Sequence, residues 1–145
     1  MSSKLLILLV GALSLLGAGS NSPNDAWQFH DTFVLKKDQT QHLDIHAAHK
    51  DHRLAFGWTL YASGGLVMHV TYDGRAFEPM LYQDFRRNTF RIDLFAKPND
   101  ASAMQYETPH ALLIFTAFDD ARKEAWLDVK IKSDETVEVY YTKGK

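Results

Sequence analysis

From Trp27 onward the chain alternates apolar and polar residues in short runs, and each run stops at turn-forming residues. Period two places alternate side chains on opposite faces of a strand, and no stretch sustains the 3.6 period of an amphipathic helix. Leu54, Phe56, Trp58 and Leu60 fall on one face, as do Leu66, Met68, Val70 and Tyr72, then Phe90, Ile92 and Leu94, then Leu127, Val129 and Ile131. Strands with one apolar face bury it by stacking sheets or by closing one sheet on itself. The expectation is an all-β antiparallel β-sandwich of about nine short strands, with a closed β-barrel as the alternative.

The turn chemistry locates the hairpins. Ser63-Gly64-Gly65 separates two alternating runs, Asp73-Gly74 returns the chain into residues 76–82, and both pairings suit two-residue hairpin turns. Pro79 suits an edge position or a bulge, because it has no N–H to give a ladder. Residues 97–109, with two prolines and several small polar residues, read as a long loop. Ala111 to Phe118 is apolar at both parities, as expected of a central strand covered on both sides. Asp119 to Glu124 reads as a turn or one short helical turn, and residues 136–141 as the last strand.

Ahead of these strands stands Lys4, then an apolar run from Leu5 to Leu16, then small residues, the layout of a secretory signal peptide. The run falls short of the roughly 20 apolar residues a transmembrane helix needs. Cleavage after Ser20 is expected, making residues 1–20 the leader, 21–26 a flexible start and 27–142 a single domain. The chain has no cysteine, so an exported fold must hold together by packing without disulfides. With no N-x-[ST] sequon either, the expected location is the periplasm, with secretion or anchoring by an uncleaved leader as alternatives. Formal charge is −2 for the whole chain and one unit more negative without Lys4, so neither nucleic acid nor an anionic membrane is attracted overall.

HLDIHAAHKDH, residues 42–52, concentrates four of the seven histidines. A helix would bring His42, His46 and His49 within about 60° of one another, but it would leave Leu43 and Ile45 on opposite sides with no apolar stripe to dock. A strand keeps Leu43 and Ile45 together and sends His42, Asp44 and His46 to the other face. There His42 and His46 stand roughly 13 Å apart, too far to share an ion bound at about 2 Å. Residues 47–52 then form a polar connection, from which His49 and His52 fold back towards His46. Zinc or copper held by His42, His46, His49 and His52, helped by Asp44, His69 or His110, is the metal reading. Solvated histidines on a strand and loop, changing charge near neutral pH, are the competing one.

Three arginines alternate with aromatics over residues 82–91, and Arg86 and Arg87 are the candidate binding surface, suited to a carboxylate, a sugar phosphate or an acidic partner. The competing account is a turn whose charges guard strand ends. Asp119, Asp120 and Glu124 lack the twelve-residue frame of a calcium loop. Nucleophile elbow, phosphate-cradling glycine loop, zinc-protease motif and thiol are all missing, so no catalytic residue is assigned. Trp58, Met68 and Trp126 are expected in the core.

Trp58-Thr-Leu-Tyr-Ala-Ser-Gly-Gly-Leu-Val-Met68, running on to Tyr72-Asp-Gly74, resembles a stretch found in small uncharacterised exported bacterial β proteins. The resemblance covers the meander alone, implies export and carries no activity. The expected function is that of an exported, periplasmic, non-catalytic domain that binds an envelope protein or cell-wall component. A zinc- or copper-binding protein is the alternative, and a small hydrolase or lyase with a β-barrel cavity is the second.

Overall fold

The computed structural model describes residues 27–95 and 109–143, so the leader, the flexible start and nearly all of the 97–109 loop lie outside the described residues. Ten strands are present: β1 (Phe29–Lys36), β2 (Thr40–Ala47), β3 (Lys50–Ala62), β4 (Gly65–Tyr72), β5 (Arg75–Phe77), β6 (Met80–Tyr82), β7 (Thr89–Asp93), β8 (His110–Asp119), β9 (Glu124–Lys132) and β10 (Val137–Tyr140). They form two antiparallel sheets, one ordered β1-β9-β8-β7 and the other β10-β2-β3-β4 with β5 and β6 both paired to β4. The architecture is a β-sandwich, with no closed barrel among the described residues. The chain crosses between sheets three times, after β1, after β6 and after β9.

The alternating residues face each other across the interior. Phe33, Leu35, Leu113, Phe115, Leu127 and Val129 come from one sheet, and Leu43, Ile45, Leu54, Phe56, Leu66 and Met68 from the other; all are buried. The two sheets are thus not the closed barrel that the hydrolase or lyase reading named. Trp58 is buried as expected and its indole N–H donates to the Leu35 carbonyl across the sandwich, 2.8 Å away. Met68 is buried too.

Several local expectations are corrected. Trp126 lies on the outer parity of β9, 44 % exposed, because Leu127 and Val129 take the inward positions. The β8 strand is covered unequally: Ala111, Leu113 and Phe115 are buried on the inner face, while on the outer face Trp27 packs on the buried His110 and Leu112 and Ile114 are half-buried, with no third layer over them among the described residues. Residues 120–123, by contrast, form the turn that was the first of the two expected forms, with Asp119 Oδ1 accepting from the Ala121 and Arg122 N–H groups. The single strand expected over residues 76–82 is two, interrupted at Glu78-Pro79, where the Pro79 carbonyl accepts from the Met68 N–H.

Two bulges interrupt the ladders, between Trp58 and Leu60 on β3 and between Phe115 and Ala117 on β8. Each inserts one residue and reverses the parity that follows. Leu60 therefore turns out to solvent, while Tyr61 and Phe118 turn in and stack at 3.8 Å between ring centroids. This pair closes one end of the core.

Candidate functional site

The four clustered histidines divide over three places. Ala47 pairs with Lys50, so β2 and β3 are joined by the two-residue turn Ala48-His49, both at positive φ (49° and 61°). Residues 47–52 are thus a tight hairpin in place of the expected connection, and its parity decides the outcome. His46 stands opposite Asp51 and His42 opposite Ala55 on the outer face of the larger sheet. His52 stands opposite Ile45, whose side chain is buried on the inner face, so the sheet itself lies between His52 and His46. Among the described residues, no three histidine or acidic side chains are gathered as they stand around a metal-sized point.

His52 is committed elsewhere. Its Nδ1 lies 2.6 Å from Asp73 Oδ2 and 3.3 Å from the Tyr72 hydroxyl, and its ring packs against Phe95 and stacks with Tyr72. Asp73 sits in the Asp73-Gly74 hairpin turn, and its other oxygen accepts the Arg53 N–H. The Phe95 N–H donates to the Tyr72 hydroxyl, reaching from the end of β7 in the smaller sheet. Burial raises the Tyr72 phenol above its ordinary value, and the Asp73 charge adds to the rise. The cluster ties the two sheets together at one end of the sandwich. Its members Tyr72, Asp73 and Phe95 were not legible as a unit: Asp73-Gly74 signalled a turn, and only the fold brings its carboxylate to His52.

At the opposite end, between β6 and β7, loop 83–88 carries the two candidate arginines. Arg87 is occupied: Nε and Nη2 donate to Asp84 Oδ2 at 2.8 and 2.5 Å, and the guanidinium sits 4.3 Å from the centre of the Tyr82 ring. The Arg87 partnership holds the Asp84 carboxyl below its ordinary value. Asp84 Oδ1 also accepts from the Arg86 and Arg87 N–H groups, so one aspartate sets the loop's shape. Arg86 has no carboxylate partner among the described residues and follows Phe85, which is 93 % exposed, in the loop. Phe85 was passed over in the sequence, where it counted only as one of three interleaved aromatics.

Chemically, these places offer different things. The outer face of β10, β2 and β3 presents imidazole and carboxylate side by side, whereas the Phe85 and Arg86 tip presents a ring and a cation with no internal partner. No protein-family model, curated protein or solved structure matches the chain.

Proposed function

We propose that the chain is an exported periplasmic domain that works by binding, and that the tip of loop 83–88 grips an envelope protein or a cell-wall component. The observation that carries this reading is Phe85. A phenyl ring left 93 % exposed gives up about 1.5–3 kcal/mol of burial that an inward position would supply. It stands on a loop whose backbone is braced by Asp84, so the stem that carries the ring is shaped before any partner arrives. Aromatic and arginine side chains are the usual anchors of protein-protein contacts, and a braced loop backbone lowers the entropy lost on docking.

Arg86 beside the ring supplies charge selection. A partner offering an apolar notch next to a carboxylate fills both requirements at once. Export is supported by the Lys4 and Leu5–Leu16 leader, and the periplasmic location by the shortness of that leader together with the lack of an N-x-[ST] sequon.

The test is a photo-crosslinking aromatic amino acid at position 85 in cells expressing the full chain, with N-terminal sequencing of the product. One dominant adduct, lost on Arg86→Glu, and a chain starting near Asn21 are expected. An adduct pattern indifferent to Arg86→Glu, or a product with the leader intact in the cytoplasm, overturns the reading.

A further inference from the structure

Glu138, His46 and Asp51 occupy one row across three neighbouring strands, because the register pairs Glu138 with His46 and His46 with Asp51. Paired residues in an antiparallel ladder have Cα atoms about 4.5–5.5 Å apart. The three side chains therefore stand side by side on the outer face. Each potential donor is held from behind. His46 Nδ1 lies 2.7 Å from Asp51 Oδ1, and the Tyr140 hydroxyl donates to Glu138 Oε2 at 2.6 Å.

Those two contacts decide what remains free. An ionised carboxylate only accepts, so Asp51 keeps the His46 proton on Nδ1 and leaves the Nε2 lone pair available. Tyr140 engages one oxygen of Glu138 and leaves the other. The hydrogen bond to Glu138, and then its charge, raise the Tyr140 phenol above its ordinary value. A carboxylate behind the imidazole is the arrangement that orients metal-binding histidines and makes them better donors. His46, His49, Glu135, Thr136 and Glu138 line a single open hollow of about 530 Å³.

We propose that this hollow binds one divalent transition-metal ion, zinc or copper(II), through His46 Nε2, a Glu138 carboxylate oxygen and the His49 imidazole, with Glu135 available as a further oxygen donor. Asp51 and Tyr140 are its positioning residues. Imidazole and carboxylate donors suit both ions. His46 and Glu138 stand on the β10-β2-β3 frame in the hold of Asp51 and Tyr140, and rotation of the His49 imidazole on the adjoining turn completes the set. Compared with the set suggested by histidine spacing, His42 and His52 drop out and two glutamates enter. His42 is one further row removed, beyond Asp44, and His52 faces the interior.

The experiment is calorimetric titration of the purified, untagged protein with zinc chloride and, separately, with copper(II) sulfate, alongside circular dichroism of every variant. Binding of one ion per chain tighter than about 100 µM, weakened at least about tenfold by His46→Gln and by Glu138→Gln and about tenfold by Asp51→Asn, is expected. His42→Gln is expected to leave the affinity unchanged, and copper(II) to broaden the ring-proton NMR signals of His46 and His49 before those of His42 and His69. The proposal is overturned by binding weaker than that limit for both ions, by variants at His46 and Glu138 that fold and keep full affinity, or by an equal loss in His42→Gln.

Discussion

The Tyr141 hydroxyl donates to the Asp31 carboxylate, 110 residues earlier in the chain, and joins the end of β10 in one sheet to β1 in the other. Around this contact the Tyr141 ring packs edge-on against Phe29 and Phe33, and the Lys143 ammonium donates to the other Asp31 oxygen at 2.8 Å. Gln28 continues the seam, accepting the Val137 N–H and donating to the Ser133 carbonyl. The two edge strands on that side are held together by side chains in place of a ladder.

The seam has a pH signature. Burial alone would raise the Asp31 carboxyl, but hydrogen bonds from Lys143, Tyr141 and Thr32 hold it below its ordinary value. Burial first, and then the Asp31 charge, push the Tyr141 phenol up to about 12. The Asp31 contribution is present above the ordinary carboxylate range and is lost as pH falls through its lowered value. The Tyr141 contribution is present below about pH 10 and is lost as pH rises through about 12. Tyr141→Phe should cost about 1–2 kcal/mol at pH 7 and flatten the alkaline limb, as read from urea midpoints between pH 7 and 11.

The Ala48-His49 turn should be improvable. Two-residue hairpin turns with both φ positive prefer Asn-Gly or Asp-Gly, and an ordinary residue in that region costs roughly 1–2 kcal/mol. Asp73-Gly74 obeys the preference and Ala48-His49 does not. His49→Gly should therefore raise the thermal midpoint by several degrees, on the order of 1 kcal/mol, while removing one of the proposed metal ligands. Stability by calorimetry and zinc affinity should move in opposite directions.

Phe85 and Phe56 should behave as opposites. Phe85→Ser should change stability by no more than about 0.5 kcal/mol, because its ring touches little of the fold. Phe56→Ala empties a fully buried site that packs against Phe33 and should cost about 3–5 kcal/mol. Denaturant melts of the two variants check both.

Gly57 should refuse even a methyl group. A Cβ there would sit 2.4 Å from the backbone oxygen of Gln39, in the crossing from β1 to β2. Backbone cannot swing aside as a side chain does, so Gly57→Ala should cost about 1–3 kcal/mol. The loss should appear as a lower urea midpoint with an unchanged slope.

The parts of the fold that local chemistry dictates were open to reading in advance. Period two placed Leu54, Phe56, Leu127 and Val129 inward, and Asp73-Gly74 marked its hairpin, because both signals act over a few residues. The Ala48-His49 hairpin was hidden because neither residue belongs to the turn formers, so strand pairing alone imposes that conformation. The bulges after Trp58 and Phe115 left no mark either, and a one-residue shift sends Leu60 out and Tyr61 in. The division of the histidine cluster was hidden for the same reason. Whether His52 shares a face with His46 depends on the length of one turn, and its true partner Asp73 stands 21 residues away. The row Glu138, His46, Asp51 rests on pairing between β10, β2 and β3, which no spacing within 42–52 contains.

The first strand has a bearing on how the molecule comes into being. Among the described residues β1 finds its ladder in β9, with Phe29 opposite Ile131, and its lateral seam in the last residues of the fold, Val137, Tyr141 and Lys143. A chain made from its N-terminus has Phe56 and Trp58 to set against Phe33 and Leu35 early, but no ladder partner for β1 until β9 is made. Contacts this distant along the chain slow folding into the millisecond-to-second range. The smaller sheet thus closes late, once β9 is made, whereas β2 to β6 pair with their neighbours as they appear, and a chain cut short before β10 leaves β2 as a bare edge ready to pair with its own kind.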